Sequence, residues 1–224
     1  MSGSDQDLLF GNFIADNVKG RQISRYPEEV VRGILLHRQI DRYTDTHPVV
    51  RQSLVRLRQR YRKFAGVVLD IYFDHFLAAD FSAYSAVPLA AFTTEAYRII
   101  LEREAELPER VRMFLPHMVK HNWLLHYSQL EGVHRSLTGL SRRTSYASGM
   151  ETAAAELAAH YDLYQEEFEA FFPELVLFVE EHKGVAGSFR QSVSFTIRYL
   201  TALLFLKKIL VNFVITNRIR FLFY

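Results

Sequence analysis

Thirteen residues, Val67 to Ala79 (VVLDIYFDHFLAA), constrain the fold of this chain more than any other stretch. A segment apolar almost all round has no solvent face, so it predicts a buried helix that other elements must enclose. Apart from Tyr72, its ionisable side chains are Asp70, Asp74 and His75. Burying an ionised carboxylate without compensation costs several kcal/mol, so a metal ion, an arginine or a tight hydrogen-bond network must answer them. Spacing alone leaves these readings open.

The enclosing elements read as helical too. At 224 residues and 49% hydrophobic content the chain can bury a full core in one domain, and with 10 Gly and 6 Pro it has little turn chemistry for a many-stranded sheet. The expected class is all-α, a single multi-helix domain. The absence of Cys excludes disulfides, thiolate zinc and a Cys nucleophile and suits a reducing compartment. Any metal here takes His, Asp or Glu.

In Val30 to Asp45 (VVRGILLHRQIDRYTD), an apolar stripe turns polar without leaving its face. At about 3.6 residues per turn, Val30, Ile34, His37 and Asp41 project in nearly one direction, with Asp45 close by. His37 and Asp41 are one turn apart, where an imidazole and a carboxylate either share a divalent ion or hydrogen-bond each other and water. Pro27, followed by Glu28 and Glu29, starts this helix, and His47-Pro48 ends it. Upstream, LLFGNFIADNV forms a short helix stopped by Lys19-Gly20; Leu9, Asn12, Phe13 and Asp16 share its buried-looking face. Asp16 therefore needs a partner, whether a helix to cap, an arginine or a metal.

The segment VVRQSLVRLRQRYRKF carries Arg51, Arg56, Arg58, Arg60, Arg62 and Lys63 and no acid, which reads as a solvated basic face or a docking surface for an acidic partner. Helical patterns continue from Pro88, from Pro108 through about Lys120, and through HNWLLHYSQLEGVHRSLTGL. His121, His126 and His134 read as surface or interhelical hydrogen-bonding groups, with Trp123, Leu124 and Tyr127 as a core face. Ser141-Arg142-Arg143 is expected in a loop, where paired arginines are either solvated or grip phosphate through forked hydrogen bonds. A long helix from about Ser148 to Phe171 bears the aromatic stripe Tyr161, Tyr164, Phe168, Phe171 and Phe172, read as core, and Pro173 is expected to begin the last body helix, closing near Lys183.

From Ser188 the composition shifts to apolar and basic, with six of the chain's 27 basic residues and none of its 25 acids, so the body is slightly acidic. Nothing global argues for nucleic acid, and Met1 to Asp7 lacks the apolar core of a secretory signal. The expected organisation is a helical domain over 1–187 and an atypical tail over 188–224. Lys207-Lys208 interrupts that tail short of a spanning length. It reads as a membrane-surface helix, a poor transmembrane segment or, the favoured reading, sequence foreign to the domain.

Asp16, His37, Asp41, Asp70, Asp74 and His75 thus lie on three segments, each on a face that otherwise looks buried. Mixed imidazole and carboxylate ligands suit Mn²⁺, Mg²⁺ or Fe²⁺ better than structural zinc, and such an ion acidifies water and stabilises charge on a phosphoryl oxygen. Metal-assisted phosphoester hydrolysis is the chemistry that follows.

Four pieces, GNFIADNVKG (Gly11 to Gly20), GILLHRQIDRYTD (Gly33 to Asp45), LDIYFDHFL (Leu69 to Leu77) and GLSRR (Gly139 to Arg143), resemble the acyl carrier protein phosphodiesterase family, the resemblance covering about Ser2 to Lys183. That family is similar to HD-type metal-dependent phosphohydrolases, which implies an HD-like helical domain. The resemblance implies a cytoplasmic enzyme of fatty acid metabolism that removes the 4′-phosphopantetheine arm from holo acyl carrier protein with Mn²⁺ as preferred metal. It makes Asp16, His37, Asp41, Asp74 and His75 ligands or water-orienting groups, and Asp70 and Asn12 their supporting neighbours. Arg38, Arg142 and Arg143 become phosphate contacts, and Asp16, Asp41 and Asp70 the candidate catalytic carboxylates. Acyl carrier proteins are acidic, which favours the docking reading of the basic helix.

Family members open with a short apolar segment carrying a histidine, absent here, and end near Lys183. A misplaced start and a shifted reading frame would account for both ends and would impair the product. The alternatives are a hydrolase of nucleotides or other small phosphoesters, and a membrane-associated helical binding module built on the tail.

Overall fold

The enclosed helix expected around Val67 to Ala79 is the axis of the fold. In the computed structural model, which describes residues 3–183, every side chain from Val67 to Ala78 except Asp70 is buried. Among the described residues there are eleven α-helices and no strand. They are α1 (Gly3–Ile14), α2 (Glu28–Thr46), α3 (Pro48–Tyr61), α4 (Ala65–Ala79), the single turn α5 (Phe81–Tyr84) and α6 (Leu89–Leu101). The second half holds α7 (Glu109–Lys120), the short α8 (Trp123–His126), α9 (Leu130–Arg143), α10 (Ala153–Ala159) and α11 (Tyr161–Lys183).

Helices α3, α9 and α11 pack against α4. The stripe of α11 that does so, Tyr164, Phe168, Phe171, Phe172, Leu175 and Val179, recurs at helical spacing and is buried throughout. Phe73 of α4 lies between Phe168 and Phe171, with ring centroids 5.6 and 5.5 Å away. Offset and edge contacts of this kind add to the area that the rings bury.

Three local expectations are corrected. The helix expected to end at Phe171 instead breaks at His160, and Pro173 sits inside α11. A proline there forgoes one backbone hydrogen bond, but the same apolar stripe continues on both sides of it and holds the helix in register. The stretch from His121 to Leu140 divides between His126 and Leu130 into α8 and α9, and the left-handed backbone of Asn122 (φ 39°) separates α7 from α8. Arg142 and Arg143 lie in the last turn of α9 rather than in a loop, where their charge complements the helix dipole.

Part of the basic face of α3 is engaged within the fold. Arg56 donates to both oxygens of Glu167 on α11, a buried carboxylate that also accepts from Ser53 Oγ at 2.6 Å. Arg60 reaches Glu156 of α10 at 3.4 Å, and Arg51 donates to the Asp45 carbonyl. Arg58 and Arg62 are exposed. None of the described helices is long and apolar enough to cross a membrane. The expectations for residues 188–224 lie outside the described residues.

Candidate metal centre

Two glycines bring the first pair of helices together. A Cβ on Gly11 of α1 would lie 2.0 Å from the Val30 carbonyl oxygen of α2, and one on Gly33 of α2 would lie 2.3 Å from the Leu8 carbonyl oxygen of α1. The backbones touch where any larger residue would hold them apart. This approach sets Asn12, on α1, against the ring of His37, on α2. The 3-10 turn Ala15–Asn17 that follows α1 then carries Asp16 to the ring's other nitrogen.

His37 is 1% exposed, and both its nitrogens are engaged. Nδ1 stands 3.3 Å from Asn12 Oδ1, and because an amide oxygen only accepts, Nδ1 carries the hydrogen. Nε2 is 3.2 Å from Asp16 Oδ1 and also 3.2 Å from Asp41 Oδ2. With Nδ1 protonated, a neutral ring points its Nε2 lone pair at two carboxylates, an arrangement that calls for a positive charge between them. A proton is one answer. Burial disfavours the charged ring, but hydrogen bonds to Asp16 and Asp41 outweigh it and hold the His37 pKa above the ordinary value.

A divalent cation is the other. One ligand atom from each of Asp16, His37 and Asp41 falls within 4.8 Å of the others, the one such group of three among the described residues. Ligand atoms about 2.1 Å from an ion and at right angles to each other are about 3.0 Å apart, close to both separations at Nε2. Asp16 Oδ2 is buried without a hydrogen-bond partner, an orphan that a cation would satisfy. Two oxygens and one nitrogen suit Mn²⁺, Mg²⁺ or Fe²⁺ and leave further positions for water and substrate.

Three of the five expected ligands, Asp16, His37 and Asp41, fall in this group. Asp70, Asp74 and His75 do not belong to the group. His75 is turned to other elements: its Nδ1 donates to the Tyr127 carbonyl at 2.8 Å, and its Nε2 accepts from the Tyr161 hydroxyl at 3.0 Å. Asp74 is buried beside it on α4, and Asp70 is half-buried on the same helix.

Burial holds the His75 pKa below its ordinary value, partly opposed by the Tyr127 carbonyl. The unfolded chain then binds this proton more readily than the folded one. The stability tied to a neutral His75 is intact above about pH 6.5 and declines as pH falls from there toward the folded pKa. Thermal melts at pH 8 and pH 5 should show wild type losing more stability than His75→Gln over that interval; equal losses would contradict the assignment.

The expected phosphate contacts also separate. Arg38 Nη2 donates to the Val18 carbonyl at 3.0 Å, bracing the chain just after Asp16. Arg142 is exposed, and Arg143 lines a cavity to which no residue of the metal group contributes. The concavity that adjoins Asp16 is a different one. Asn17 and Val18 form one wall of a cleft of about 570 Å³ whose other walls carry Arg25, Arg110 and Arg112 alongside Glu106 and Glu109. Sequence reading did not single out these arginines; their one signal was their position at the helix starts around Pro27 and Pro108.

The chain is similar to known proteins over most of its length. Residues 1–175 match the family model described as acyl carrier protein phosphodiesterase. Proteins of that name from Salmonella agona and Salmonella dublin are each 32% identical over 169 residues, 75% of this chain and 88% of theirs. The protein from Salmonella newport is similar to the same extent. No solved structure matches. With most of its length aligned to these relatives, the chain belongs to the acyl carrier protein phosphodiesterase family.

Proposed function

We propose that this protein hydrolyses the phosphodiester between 4′-phosphopantetheine and the serine of holo acyl carrier protein, in a metal-dependent reaction centred on Asp16, His37 and Asp41. Family membership supports the substrate. The observation that carries the site is the convergence of two carboxylates on a single ring nitrogen whose partner nitrogen already donates to Asn12.

When bound, Mn²⁺ or a similar ion would acidify a water molecule and offset charge gathering on the phosphoryl oxygens. The protein's own groups have distinct tasks. Asn12 fixes the tautomer and plane of His37, so that Nε2 faces the cation. Asp16, the less exposed carboxylate, closes the inner side, braced through Arg38 and Val18. Asp41, at 36% exposure, opens toward solvent and is suited to take a proton from the attacking water. As water oxygen bonds to phosphorus, the bond from phosphorus to the serine oxygen breaks and that oxygen acquires a proton. The products are apo carrier protein and 4′-phosphopantetheine. The arginine-bearing cleft beside Asn17 gives an anionic substrate room next to Asp16. The exposed Arg58 of α3 and Arg62 just beyond its end offer an acidic carrier protein a docking surface. By the same reading the enzyme acts in the cytoplasm, in fatty acid metabolism.

Incubating the purified full chain with holo acyl carrier protein and Mn²⁺ tests this directly. Intact-mass measurement should show the carrier losing the mass of phosphopantetheine, with no loss in the presence of a chelator. A carrier of unchanged mass at saturating Mn²⁺ would reject the activity.

A further inference from the structure

The phosphorus attacked in the proposed reaction is bonded to the serine oxygen itself, so no flexible arm separates the carrier protein from the metal centre. Whatever rims Asp16 and Asp41 must therefore meet the folded carrier's surface around that serine. Two segments form the rim. The chain from Asn17 to Pro27 contains Lys19, Arg21 and Arg25 and no acid, and all three basic side chains are exposed. On α2, Leu35, Arg38, Gln39 and Arg42 fall within about 100° of one another around the helix axis, and all four are exposed. Arg38 Nη2 donates to the Val18 carbonyl at 3.0 Å, which ties this stripe to the backbone one residue before Lys19.

Asp41 immediately precedes Arg42, and Asp16 lies just before Lys19, so both metal-site carboxylates open onto the edge of this surface. No salt bridge among the described residues engages Lys19, Arg21, Arg25 or Arg42, in contrast to Arg56 and Arg60 of α3, which pair with Glu167 and Glu156. Acids mark its limits: Asp45 lies one turn past Asp41 on α2, and Glu106 and Glu109 stand on the opposite wall of the cleft beside Asn17, with Glu106 held by Arg103. Leu35, at 46% exposure, sits among the cations as one of the larger apolar side chains that the described fold leaves in solvent. An apolar anchor set within a charged rim is the anatomy of a protein interface.

We infer that the surface made by Lys19 to Arg25 and the Leu35–Arg42 stripe of α2 is where an acidic carrier protein first docks, an assignment that rests on carrier protein being the substrate. The cations attract and orient the acidic partner, and Leu35 supplies the apolar contact that holds it. Arg58 and Arg62 then belong to a second, weaker contact. Anisotropy of fluorescently labelled holo acyl carrier protein, titrated with the metal-free full-length chain, measures docking without turnover. Where the complex is too weak to titrate, KM for holo carrier at saturating Mn²⁺ reads the same ratios.

The triple variant Lys19→Gln, Arg21→Gln, Arg42→Gln should bind carrier at least tenfold more weakly at low salt, and its affinity should depend less steeply on salt. Leu35→Ser should bind about fivefold more weakly with the salt dependence of wild type, and Arg58→Gln should stay within about twofold of wild type. Retained melting temperature and retained stabilisation by Mn²⁺ separate these losses from damage to the fold or to the metal centre. Should the triple variant not fold, Arg21→Gln alone, expected to bind about threefold more weakly, and Leu35→Ser decide the matter. If wild type binds carrier and these variants bind equally well, or if Arg58→Gln weakens binding more than they do, docking occurs elsewhere while the proposed reaction stands. If wild type neither binds nor processes holo carrier, the proposed function fails and this docking surface with it. If the variants alter self-association in sedimentation and not carrier binding, the stripe joins two copies of this chain and the assignment is wrong.

Discussion

His37→Ala should lose both metal and turnover. The ring is the hinge of the site: it is the shared neighbour of Asp16 and Asp41, and it alone connects them to Asn12. Without it two carboxylates face each other across the space of an imidazole, and no nitrogen ligand is left. A metal contributes several kcal/mol of transition-state stabilisation, so turnover of holo carrier protein at saturating Mn²⁺ should fall about a hundred- to ten-thousandfold. Asp41→Asn, which keeps the shape and removes the charge, should fall in the same range. Asn12→Ala leaves the ligands and frees the ring to rotate, for a loss of about ten- to a hundredfold. Losses of less than tenfold for both His37→Ala and Asp41→Asn, with metal content unchanged, would place the chemistry elsewhere.

The raised pKa of His37 gives the same site a pH signature. In metal-free protein, the stability that the His37 imidazolium gains from Asp16 and Asp41 is complete below its unfolded pKa and disappears as pH rises through its folded pKa. A cation takes the place of the proton. The stabilisation by Mn²⁺, read as the difference in melting temperature with and without the ion, should therefore grow as pH rises through that range. A difference that shrinks with rising pH would mean that the ion is not competing with this proton.

Gly33→Val should disrupt the fold and the site together. Its Cβ alone would fall 2.3 Å from the Leu8 carbonyl oxygen and 3.0 Å from the Asn12 amide nitrogen, both backbone atoms that no rotamer change can move. The helices must separate, and overpacking of this kind costs about 3 kcal/mol or more, roughly 6–12 °C in melting temperature for a domain of this size. The separation also draws Asn12 and Asp16 away from His37. Misplacement of about 1 Å costs on the order of a hundredfold in rate, so the variant should remain impaired at low temperature, where it is folded. Gly66→Ala on α4, where a Cβ meets nothing within 4 Å, is the control and should be neutral or slightly stabilising. A Gly33→Val protein that melts and turns over like wild type would show that the close approach of α1 and α2 does not set the site.

Much of the molecule was legible beforehand because its signals are local. Val30, Ile34 and His37 are all buried on one face of α2, with Asp41 at its rim, as a period of 3.6 residues requires. The enclosure of α4 and the aromatic core face of α11 follow from composition around the helix. Asp16 was recognisable as a carboxylate in need of a partner, but not which partner. The buried polar groups of α4 had the same ambiguity. His75 finds its answer in the Tyr127 carbonyl and the Tyr161 hydroxyl, 52 and 86 residues away in sequence. The basic run on α3 was equally visible, whereas the pairing of Arg56 with Glu167 and of Arg60 with Glu156 was not, because those acids arrive on α11 and α10.

Sequence alone therefore determined the helical class, the buried axis and the pairing of His37 with Asp41, since each depends on residues within a turn or two of one another. The tertiary structure decided that Asp16 and Asn12 meet that pair and that His75 turns to Tyr127 and Tyr161. The separation of two helices depends on how closely their backbones can pack, which Gly11 and Gly33 set here only once they meet across the interface.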